Sequence, residues 1–116
     1  MQYLLLIYAN EAQTAALPET EMAEMMAGYG EFTKAIVQSG HFKAGDRLRP
    51  VATATSVRVR DGKTMTTDGP FAETREQLGG YYLVEAANLD EATAIAARIP
   101  GAKYGSIEVR PIWMMG

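Results

Sequence analysis

The chain has 116 residues, with 14 Asp and Glu against 11 Lys and Arg, a net charge of -3 and no cysteine. That length suits one domain, residues 1–116, built on a single core. The charge excludes a broad basic face for nucleic acid, and the missing thiols exclude disulfides, thiolate metal sites and cysteine nucleophiles. The first element is "QYLLLIYA", Gln2 to Ala9. It is short, apolar and bounded by the polar run "NEAQT", which suits a buried strand. Tyr3, Leu5 and Ile7 would share one face, and Leu4, Leu6 and Tyr8 the other. Two apolar faces need cover on both sides. The run has no basic stretch ahead of it and is too short to span a membrane, so a cytoplasmic protein with no membrane partner is expected.

A helix follows in "LPETEMAEMMAGYGEFTKAIVQSG". Pro18 suits its start, and Glu19 and Glu21 suit the positive end of its dipole. Met22, Met25, Met26, Tyr29, Phe32, Ile36 and Val37 recur at steps of three and four, the stripe of an amphipathic helix. Gly40 provides a stop. "HFKAGDRLRP" reads as a connector. "VATATSVRVR" alternates and is β-branched, so it reads as a strand. Asp61-Gly62 is a hairpin turn, and "KTMTT" is the short return strand. "LGGYYLVEA", Leu78 to Ala86, reads as another strand. In "NLDEATAIAARIPG" Asn88 caps a second helix, Glu91 reaches back to it, and Pro100-Gly101 ends it. "GSIEVRPIWM" is the last strand.

The order is strand, helix, strand with a hairpin arm, strand, helix, strand. That is the order of a ferredoxin-like βαββαβ sandwich of the α+β class, with an added β-hairpin. Two helices cover one face of such a sheet. A second copy laid on the other face would bury it, so a homodimer with a barrel-like interior, a dimeric α+β barrel, is expected. Trp113, Met114 and Met115 are expected to pack at that dimer.

The string "TDGPFAETREQLGGYYLVEA", with "YLLLIYANE" before it and "GSIEVRPI" after it, resembles the DGPF proteins of the YCII-related superfamily. The resemblance runs over essentially the whole chain. It implies the ferredoxin-like fold, the dimeric barrel and a bacterial-type cytoplasmic protein. In the wider superfamily a His–Asp pair is the proposed catalytic group. Counting back from Gly40 and from Pro100, those positions fall at Tyr29 and among Ala97 to Ile99 in this chain, so the pair is not matched. Some relatives occur beside sigma-factor-like regulators. The resemblance therefore implies a small-molecule binder, with weak lyase- or isomerase-like chemistry as its enzymatic form. The alternative is a regulatory module for a sigma-factor-type protein partner, without direct DNA contact.

The candidate ligand site is built around Asp68-Gly69-Pro70-Phe71. Asp after a strand end, locked by Gly-Pro, is a carboxylate held in place, although the same residues also make an ordinary turn. Glu73 lies close in sequence and joins it. Arg110 on the last strand could fork onto a ligand carboxylate. Tyr8, Tyr29 and Tyr82 are phenols that need polar partners and could line a cavity. Tyr29, on the methionine-rich helix, is the leading candidate. The ligand expected is a compact organic molecule, acidic or aromatic. His41 reads as a helix C-terminal residue facing the dipole. One histidine builds no histidine cluster, and Gly79-Gly80 lacks the Lys-Ser/Thr of a phosphate loop, so neither metal nor cofactor is expected.

Overall fold

The structure, a computed structural model, describes residues 1–114. Met115 therefore lies outside the described residues. In chain order the elements are β1 (Gln2–Ala9), α1 (Glu11–Ala15), α2 (Glu19–Gln38), β2 (Phe42–Arg47), β3 (Thr55–Arg60), β4 (Lys63–Asp68), β5 (Gln77–Glu85), α3 (Leu89–Ala97) and β6 (Ser106–Pro111), with 3-10 turns at Val51–Thr53 and Pro100–Lys103. Strands β2, β5, β1 and β6 form one antiparallel sheet in that order, and β3 pairs only with β4. Helices and sheet thus form the ferredoxin-like α+β arrangement.

The second sheet strand comes from the stretch that reads as a connector. Phe42–Arg47 pairs with β5, whereas "SVRVR" belongs to the separate hairpin. The physical reason is the place of β2 at the sheet edge. Edge strands carry charge against stray pairing, and Lys43, Asp46 and Arg47 hide the strand pattern behind polar residues. The short helix α1 is likewise missing from the sequence reading. Asn10 caps it, with the side-chain oxygen accepting from the Gln13 N–H.

Alternation along β1 sorts the two faces. Tyr3 and Leu5 are buried, and they pair across β5 with Val84 and Tyr82. Phe32 and Ile36 of α2 and Ala92, Ile95 and Ala96 of α3 close over this face. The opposite face carries Leu4, Leu6, Tyr81 and Leu83, all part-exposed. Helix α2 stops where Gly40 takes φ +82°, a left-handed conformation open to glycine, and the His41 N–H bonds back to the Ile36 carbonyl. The hairpin closes on Asp61 and Gly62, both at positive φ. In β5 the register shifts opposite Ile7 and Tyr8, a bulge that falls at Gly79.

Candidate functional site

A cavity of about 490 Å³ lies between α1, the first half of α2 and the β2–β5 end of the sheet. Its size falls inside the roughly 300–1,000 Å³ range of small-molecule sites. The periodicity of α2 brings Met22, Met25, Met26, Tyr29 and Thr33 onto the wall. Strand β5 contributes Gly79, Gly80, Tyr81 and Tyr82, and Phe42, Gly45, Asp46 and Arg47 come from β2. The wall is mostly apolar, and its methionines can adapt to the shape of an occupant.

The polar groups are few and most are engaged. The Tyr82 hydroxyl lies 2.7 Å from Thr33 Oγ1. The Tyr82 ring also meets Phe32 edge-on, with centroids 5.1 Å apart. Glu11 Oε2 accepts from the Val51 N–H at 3.1 Å. Asp46 Oδ2 accepts from the Tyr81 hydroxyl at 2.7 Å, which pushes the Tyr81 phenol up from its ordinary value. Arg47 is different. Its Nη1 reaches only the Met26 sulfur, at 3.8 Å, and among the described residues it has no carboxylate partner.

Tyr29 lies on the stripe of α2 that faces the cavity. Its hydroxyl lies against the backbone of Gly101, just past α3, rather than against a carboxylate. A Cβ on residue 101 would sit 2.6 Å from the Tyr29 hydroxyl oxygen, so only glycine admits this approach. Burial raises the Tyr29 phenol above its ordinary value, and the Gly101 N–H opposes that more weakly. At neutral pH the hydroxyl therefore keeps its proton. Among the described residues no hydrogen bond engages the O–H, so it can donate into the cavity.

The other residues picked out from the sequence fall elsewhere. Of that set, Tyr29 and Tyr82 line the cavity. Tyr8 and Arg110 lie on the uncovered face of the sheet, where Glu108 accepts from both, at 3.4 and 3.5 Å. Asp68 ends β4, and Gly69, Pro70, Phe71 and Glu73 follow it on the surface, with Phe71 79% exposed. The Gly69 N–H bonds to the Ala54 carbonyl at 2.7 Å, and its carbonyl accepts from Ser56 Oγ at 2.9 Å, so this motif closes the root of the hairpin. Within one chain the sheet separates Tyr29 and Tyr82 from Tyr8 and Arg110. Sequence reasoning missed Arg47, Asp46 and Gly101. Reading Phe42–Arg47 as an edge strand would have exposed the first two.

His41 lies at the far end of α2. Its Nδ1 is 2.6 Å from Ser39 Oγ and its Nε2 is 3.1 Å from Glu91 Oε1. The Ala87 N–H and then His41 hold the Glu91 carboxyl below its ordinary value. A carboxyl depressed on folding stabilises above its unfolded pKa, and that contribution fades as pH falls through the folded value. Thermal melts from neutral pH down through the carboxylate range should lose stability more steeply in the native chain than in Glu91→Gln. Parallel curves would remove Glu91 from the acid response.

A sheet in the order β2-β5-β1-β6, helices on one face and an apolar cavity at one end define an α+β ferredoxin-like protein with a small-molecule-sized site. The family model of the YCII-related domain matches residues 1–116, and the chain belongs to that family. An uncharacterized protein of Rhizobium meliloti (strain 1021) is 39% identical over 114 residues, covering 97% of this chain and 92% of that one. Among solved structures, the chain resembles 5-chloro-2-hydroxyhydroquinone dehydrochlorinase from Burkholderia phenoliruptrix AC1100, in complex with 2,5-dihydroxybenzoquinone. That match has a TM-score of 0.56 and 13% identity, and covers 100% of this chain and 96% of the other, a likeness of fold. Among the described residues no helix is long and apolar enough to cross a membrane, and no group of three or more His, Cys, Asp or Glu is placed to hold a metal ion.

Proposed function

We propose that the cavity under α2 binds a small hydroxylated aromatic acid. One observation carries this reading: Arg47 is the charged group left without an opposite charge in a wall whose carboxylate, Glu11, already accepts a hydrogen bond, while the Asp46 side chain turns to the open face of the sheet and accepts from Tyr81 there. A free guanidinium beside a flat apolar wall suits a ring bearing a carboxylate. The Tyr29 hydroxyl supplies a donor to a ring oxygen. The dehydrochlorinase's complex with 2,5-dihydroxybenzoquinone supports an occupant of one ring. Tyr29 lies beside the Gly101 backbone with no titratable side chain hydrogen-bonded to it among the described residues, which supports binding rather than proton shuttling. Titration calorimetry with 2,5-dihydroxybenzoate tests the reading. Binding is expected to weaken about tenfold in Tyr29→Phe and to stay unchanged in Tyr8→Phe. Equal loss in both, or no heat with the native chain, would contradict it.

The same reading takes the chain as a homodimer through the face of the sheet that its own helices leave open. Leu4, Leu6, Tyr81 and Leu83 form an apolar centre there, and burying it against a second copy gains the hydrophobic free energy that one chain forgoes.

A further inference from the structure

The hairpin β3–β4 has no support from the rest of its own sheet, since its strands pair only with each other. A two-stranded hairpin is marginal in water without a surface to lie on. Register places Val57 and Val59 on one face with Thr64 and Thr66. The two valines are 61% and 58% exposed. A compact chain of this length has a radius of gyration of about 13 Å. Here it is 16.2 Å, with extents of 48 × 47 × 19 Å, so the hairpin stands off as an arm.

Two quantities point to a second copy of this chain as the surface it meets. The first is area. Four strands about 4.8 Å apart and about 20 Å long present roughly 400 Å² of flat face. A stable interface takes about 800 Å² from each partner. The open sheet face alone falls short, and the arm adds an uncovered apolar strip in Val57 and Val59. The second is charge. The arm carries Arg58, Arg60 and Lys63 against Asp61 and Asp68, net +1, on a chain of net charge -3, so the remainder is net -4. Asp46, Glu85 and Glu108 stand on the open face with Arg110; Arg58, Arg60 and Lys63 share the arm face opposite Val57 and Val59, so with the valines inward the arm's charge acts at the rim of the contact and not across it.

We propose that the β3–β4 arm of each copy lies on the other copy, with the Val57–Val59 face inward. The inference rests on the homodimer read above. A twofold arrangement makes the exchange reciprocal. It also ties the dimer to the cavity, because Pro50 before the arm and Gln77 after it both line that wall. Docking the arm fixes both flanks of the cavity mouth.

Sedimentation velocity at micromolar concentration, on the native chain and on the double variant Val57→Thr with Val59→Thr, tests this. Threonine keeps the strand shape and propensity while removing the apolar contact. The native chain is expected to sediment as a dimer, and the variant's dissociation constant to rise at least about 100-fold, with an unchanged circular dichroism spectrum. A native dimer with an equally tight variant overturns the arm and leaves the homodimer standing. A native monomer overturns both. The chain has no cysteine, so Val59→Cys and Asp61→Cys each give a single thiol. Reaction with a disulfide reagent is expected to be at least about tenfold slower at 59 than at the turn. Equal rates would also overturn the arm.

Discussion

Leu5→Ala should lower stability by about 3 kcal/mol, in the lower half of the range for emptying a fully buried leucine site. Leu5 is 0% exposed and sits between Tyr82 on β5 and Val109 on β6. Both neighbours are held by backbone ladders, so neither can collapse freely into the space left. For a chain of this size that loss corresponds to a melting temperature lower by roughly 12 °C. Leu6, one residue on, points to the opposite face and is part-exposed. In melts run below the concentration of dimer formation, where no second copy covers Leu6, Leu6→Ala should cost less than about 1 kcal/mol. The comparison belongs at one protein concentration, because association shifts apparent stability. Equal losses at the two positions would mean that the strand does not alternate as described.

Arg47→Ala should weaken binding of 2,5-dihydroxybenzoate about 30-fold, close to 2 kcal/mol, the usual size of a hydrogen bond to a charged group. Arg47 is more than about a third exposed, so water screens part of the attraction, and a larger loss is not expected. Arg47→Lys should recover only part of the affinity, since an ammonium keeps the charge and loses the planar fork. Calorimetry over both variants measures this. Full affinity in Arg47→Ala would move the ligand's acid group away from β2.

Much of the fold was legible because its strongest elements are locally consistent. The Leu-Leu-Leu-Ile run of β1, the methionine stripe of α2 and the Asn88 cap of α3 each state their structure in a few residues. Strand β2 was not legible. Its identity is set by its neighbour β5 and by its edge position, and its own residues are polar for that reason. The alternation of "SVRVR" does mark a strand, yet alternation says nothing of which sheet a strand joins.

The candidate site was legible where it sits on a periodic element. Tyr29 follows from the stripe of α2, and Tyr82 from the alternation of β5. Arg47 and the Gly101 amide were hidden, because one lies on the unread strand and the other is a backbone group. Asp68 to Phe71 drew attention by their motif. In the fold these residues close the root of the hairpin, where Gly69 bonds to Ala54 and Ser56. Tyr8 and Arg110 met the chemical requirement for a site but stand on the other side of the sheet from Tyr29, and one chain cannot bring the two groups together.

Titration of the isotope-labelled chain with 2,5-dihydroxybenzoate, followed by amide chemical shifts, locates the ligand on one side of the sheet or the other. The largest shifts are expected on Arg47, Gly80 and Gly101 and on the α2 turn around Tyr29. Shifts centred on Tyr8, Glu108 and Arg110 across the sheet, with the α2 side unmoved, would contradict binding in the cavity under α2.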